Sequence, residues 1–94
     1  MKKMRFDIEC VKEMLVNYGV VFTVRSYYFG DCDVFVDDVG ICKRSLIGEV
    51  KYVKDLEVCA CLSGFDDVRS WVEVIRKMYK GKRKYLYEVE VLAL

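Results

Sequence analysis

The sequence predicts a small α+β domain in which a short curved β-sheet or barrel is flanked by two helices. Three observations carry that expectation. Apolar residues recur at three- and four-residue spacing in two stretches, 7–18 and 68–79. Between these stretches, and again after the second, lie runs rich in β-branched and aromatic residues. Ninety-four residues hold one core, and the order helix, strands, helix, strand has too few crossover helices for a doubly wound sheet. The chain therefore reads as one domain over 1–94.

In the first helix Ile8, Val11, Met14, Leu15 and Tyr18 form one apolar stripe. Asp7 is the expected N-cap and Gly19 the stop. A strand over 20–25 follows, then a loop over 26–31 carrying Tyr27, Tyr28 and Phe29, and a strand over 32–36. Asp37-Asp38-Val39-Gly40 has turn chemistry. Lys43-Arg44-Ser45 reads as a polar connection, and 46–53 and 56–62 read as two further strands. The second helix has Val68, Trp71, Val72, Ile75, Met78 and Tyr79 on one stripe, a cap at Asp66 or Asp67 and Gly81 at its close. The last strand, 85–92, alternates Tyr85, Tyr87, Val89 and Val91 against Leu86, Glu88, Glu90 and Leu92.

Composition excludes several classes of function. Apolar residues at 54% suffice for a core, and charged residues at 33% are interleaved with them, which argues against disorder. The formal charge of +1 carries no global signature of nucleic-acid binding, so any such signal must lie in the distribution of charge. Asp7, Glu9, Lys12 and Glu13 interrupt any signal-peptide core, and no window resembles a membrane span, so a cytoplasmic protein is expected. Five cysteines with no histidine give no zinc pattern; Cys59 and Cys61 read as core residues, and a Cys32–Cys42 disulfide is not expected. Asp31, Asp33, Asp37 and Asp38 lack calcium-loop spacing. Neither metal nor cofactor is implied. Gln, His and Pro are absent, a composition that leans towards a thermophile.

The residues that carry chemistry are basic and aromatic. Thr23 and Arg25 are two apart on a strand and share a face, either as the floor of a polar groove or as an ordinary exposed strand face. Tyr27 and Tyr28 are positioned to stack bases, or else to plug the core. Lys43 and Arg44 offer phosphate contacts from a loop, and a solvated loop explains them equally well. The segment 76–85 holds six cations and no acid. Helix-end electrostatics accounts for Lys77 and Lys80, less so for Lys82, Arg83 and Lys84.

Taken in order, these segments resemble the ASCH domain, a member of the PUA-like superfold. Gly19-Val20-Val21-Phe22-Thr23-Val24-Arg25 matches its Gly-Lys-Lys-Thr-x-Thr-Ile-Arg type of segment. Gly30-Asp31, Ile47-Gly48-Glu49-Val50 and Ser63-Gly64-Phe65-Asp66 match the motifs that follow. The resemblance implies a PUA-like barrel that binds RNA or a modified nucleotide. ASCH-like amidohydrolases use a Lys, a Thr and a Glu. Thr23 stands at the threonine position, but Val20 or Val21 replaces the lysine and Ser63 the glutamate. Losing a general base typically lowers a rate by about 10² to 10⁴. The reading is thus a binding module, with a small amidohydrolase or ribonuclease built on Thr23 as the alternative. A protein-interaction module that forms a homodimer is a further option.

Overall fold

The computed structural model describes residues 1–92. Its strands form one five-stranded mixed sheet in the order β1-β3-β4-β5-β2, where β1 is Lys2–Lys3, β2 Val20–Arg25, β3 Cys32–Val36, β4 Gly40–Glu49 and β5 Tyr85–Val91. Only β1 and β3 are parallel; the other neighbours are antiparallel. The sheet is open, with β1 and β2 at its edges, so the barrel alternative gives way to the sheet. The α+β class stands. Among the described residues no helix is long and apolar enough to cross a membrane.

Helix α1, Glu9–Tyr18, buries Val11 and Leu15 against Val21, Val34, Val36, Cys42 and Val89. It ends as expected: Gly19 turns left-handed at φ 75° and its N–H donates to the Leu15 carbonyl. Its start differs from the expectation, since Ile8 occupies the cap and Asp7 instead pairs with Arg5 at 3.2 Å. Helix α3, Val68–Met78, follows the expected stripe, and Asp67 caps it by accepting the Ser70 N–H at 2.7 Å. Trp71 and Ile75 of α3 pack with Val24 and Leu86, which alternate with the α1-facing residues of their strands. The two helices therefore cover opposite sheet faces, and Phe65 packs against both clusters.

The middle of the chain departs most from expectation. Lys43, Arg44 and Ser45 are the centre of β4, a ten-residue strand, and not a connection. The segments expected as strands at 46–53 and 56–62 largely fold otherwise: β4 ends at Glu49, α2 is a single helical turn at Lys54–Glu57, and a 3₁₀ turn spans Ala60–Leu62. The Asp55 carboxylate explains the break. It accepts the N–H groups of Lys51 and Tyr52 at 3.0 and 2.9 Å, which bends the chain into a turn before α2. Cys61 is exposed rather than core, and all five cysteines are free.

Candidate nucleic-acid interface

Strand register decides which of the expected site residues meet. Arg25, the last residue of β2, pairs with Tyr85, the first of β5. Lys84 immediately precedes Tyr85, so the turn bearing Lys82, Arg83 and Lys84 lies at the same end of the sheet as Arg25. The loop after β2 brings a ring to this end: Tyr28 is 66% exposed and meets Tyr85 edge-on, with centroids 5.3 Å apart. Lys82 and Arg83 are exposed; Lys84 is half-buried and its Nζ donates to the Lys82 carbonyl at 2.8 Å.

Thr23 is buried beside Arg25 in the wall of a cavity of about 50 Å³, where β2 meets the start of α1 and the end of α3. The ionisable residues of its wall are Asp7, Arg25 and Tyr79. The Arg25 guanidinium lies 4.9 Å from the Phe6 ring centroid. Burial raises the Tyr79 phenol above its ordinary range, against an opposing effect of Arg25, so it is a neutral hydrogen-bonding group at pH 7. Such a volume suits water or a small anion; ligand clefts for larger molecules run to roughly 300 Å³ and more. Ser63, at the glutamate position of the resemblance, is fully buried. Its hydroxyl donates to the Ala60 carbonyl at 2.7 Å and accepts the Phe65 N–H at 3.1 Å. It shapes the turn ahead of α3.

Three expected residues lie elsewhere. Arg44 is 3% exposed, so its placement on a solvated loop is corrected: alternation along β4 turns it inward while Lys43 turns outward. Its guanidinium stands 5.3–5.5 Å from the rings of Tyr27, Phe29 and Tyr87, donates to the Cys32 sulfur at 3.1 Å, and leaves Nε without a partner. Lys43 projects from the opposite face, directly across from Asp33 and Glu90 on the neighbouring strands, where the surrounding charge is acidic. Tyr27 is half-buried, its ring 4.8 Å from Phe29 and 5.7 Å from Tyr87. The fully buried Tyr87 hydroxyl holds this loop in place by accepting the Phe29 N–H at 2.8 Å and donating to the Tyr27 carbonyl at 2.7 Å. Tyr27 thus supports the loop from within, and Tyr28 is its most exposed ring, ahead of Phe29 at 40%.

In the sequence Tyr79 reads only as part of the apolar stripe and Asp7 only as a helix cap, and nothing there marks Lys51 or Tyr52. The Asp37-Asp38 turn is ion-paired with Lys3 and Lys12 at 3.4 and 3.2 Å. Among the described residues no cluster of three or more His, Cys, Asp or Glu side chains is arranged to hold a metal. No family model matches the chain, and neither a curated protein nor a solved structure does.

Proposed function

We propose that the chain is an RNA-binding module of the ASCH, PUA-like type, which holds a single strand across the end of the sheet where β2 stops and β5 starts. The observation that carries this reading is the pairing of Arg25 with Tyr85. It sets a guanidinium, the exposed ring of Tyr28 and the cations Lys82, Arg83 and Lys84 around one sheet end. Cations of this kind track phosphates by displacing counterions, and an exposed ring offers a sequence-tolerant stacking surface. The small cavity beside Thr23 favours a strand on the surface over a whole modified nucleoside within it.

The test is fluorescence anisotropy with a short single-stranded RNA at two salt concentrations. Lys82→Ala/Arg83→Ala/Lys84→Ala is expected to weaken binding and flatten its salt dependence, by a slope of about 0.7 for each lost phosphate contact. Tyr28→Ala is expected to weaken binding by about 1–3 kcal/mol and leave that slope unchanged. Binding that ignores both variants, or no binding at low salt, overturns the reading.

A further inference from the structure

A second cleft opens beside the proposed RNA surface, between α3 and the turn that leads into α2. Its volume is about 180 Å³. Val53, Leu56, Val72 and Ile75 contribute apolar surface, and its charged lining residues, Lys51, Arg76 and Lys84, are all cationic. Tyr52, 63% exposed, also borders it.

None of the three cations is in an ion pair among the described residues, and Lys84 has one Nζ bond, to the Lys82 carbonyl. The ion pairs among the described residues join Lys3 to Asp37, Arg5 to Asp7, Lys12 to Asp38 and Arg69 to Glu73. Glu73, one turn before Arg76 on α3, is thus turned towards Arg69. Asp55, four positions beyond Lys51, has one carboxylate oxygen engaged by the N–H groups of Lys51 and Tyr52. Those two bonds hold its carboxyl below the usual range, and they fix the backbone on which Lys51 and Tyr52 stand. The opposite wall is fixed as well, since the Val50 N–H donates to the Lys84 carbonyl at 2.7 Å. The wall backbone is therefore set before any ligand arrives, which lowers the entropy lost on binding.

An apolar floor under three cations with no lining acid complements a ligand that is flat and apolar at one end and dianionic at the other. We infer that this cleft binds a nucleoside 5′-monophosphate unit, its base against the apolar floor and Tyr52 and its phosphate among Lys51, Arg76 and Lys84. At about 180 Å³ the cleft encloses part of such a unit and leaves the remainder on the surface. The unit is either a free nucleotide or the phosphorylated 5′ end of a strand. For its ligand class the inference rests on the nucleic-acid reading above, and Lys84 belongs to both surfaces.

The test uses the full chain and adenosine 5′-monophosphate, followed by calorimetry and by backbone amide NMR shifts. Adenosine and inorganic phosphate are the partial ligands. Shifts centred on residues 50–56 and 72–76 are expected, with adenosine and phosphate each binding at least tenfold more weakly. Arg76→Ala and Lys51→Ala are each expected to weaken the nucleotide tenfold or more, and Tyr52→Ala severalfold. These side chains are exposed, so the variants are expected to keep the amide spectrum of the parent. Lys82→Ala/Arg83→Ala, which spares Lys84, is expected to leave nucleotide affinity unchanged. No shifts at millimolar nucleotide, or binding indifferent to Arg76 and Lys51, overturns the inference even if RNA still binds. Nucleotide binding without any RNA binding overturns the strand reading and keeps the cleft. A 5′-phosphorylated oligonucleotide favoured over its 5′-hydroxyl twin identifies the strand end as ligand; equal affinities identify the free nucleotide.

Discussion

Arg44 shows how far one residue's environment can depart from its chemistry. A guanidinium in the core loses its hydration, and here the nearest compensation is three aromatic rings and a cysteine sulfur. Cation–π contacts in such desolvated settings contribute about 2 kcal/mol, while the unpartnered Nε works against them. A methionine of similar length keeps the ring contacts and removes the buried charge. Arg44→Met is therefore expected to match or exceed the stability of the parent by up to about 2 kcal/mol in urea unfolding. Arg44→Ala, which leaves a void, is expected to lose about 2–4 kcal/mol. RNA affinity is expected to be unchanged by Arg44→Met. A Met variant less stable by several kcal/mol would mean that the rings and the Cys32 sulfur more than offset the buried charge.

At the scale of elements, the approach of α1 to the opening of α3 is set by Gly64. Its backbone is left-handed at φ 91°, and a Cβ there would sit 2.5 Å from the Cys10 carbonyl oxygen and 2.8 Å from the Val11 Cα. Both atoms are backbone of α1 and have no rotamer by which to escape. Gly64→Ala is expected to cost more than about 2 kcal/mol, from strain and from pushing α1 off the sheet, as read by denaturant midpoint. Ser63-Gly64-Phe65 reads in the sequence as the entry to α3, but the reason for its glycine does not, because Cys10 and Gly64 are remote in sequence. The same holds for β4. Its Leu46 and Ile47 read as the start of a strand, whereas the strand begins at Gly40 because β3 and β5 pair along both of its sides.

For the molecule as a whole, pH acts from two directions. Burial raises the phenols of Tyr79 and Tyr87 above the ordinary value of 10.0 and the thiols of Cys42 and Cys59 above 9.0. The unfolded chain then releases these protons first, so the stability they confer is full below about pH 9 and is lost as pH climbs through the raised folded values. Asp55 and Asp67 are shifted the other way, chiefly by backbone N–H donors, from an ordinary value of 3.8. Their contribution is present above that value and is lost as pH falls through the lowered folded ones. Thermal melts across pH should show a plateau between these limits. With Asp67→Asn the acid-side loss is expected to shrink, because an amide caps α3 without titrating. An unchanged acid limb would place that loss on other carboxylates.

The sequence by itself determined what depends on neighbours along the chain: both long helices and their stripes, the Gly19 stop, a cap at Asp66 or Asp67, strands β2, β3 and β5, and the basic run before Tyr85. These are local because a helical turn or an alternating strand is written within a few residues. Tertiary structure alone decided that the sheet stays open, that Arg44 is buried, and that Asp55 turns an apolar run into a bend and a helical turn. It also decided which cations lie at the same end of the sheet, because strand register is a long-range choice: pairing Arg25 with Tyr85 joins residues sixty positions apart. Short apolar runs such as 56–62 suit a strand or a buried turn equally well, and the contacts that choose between them come from the rest of the molecule.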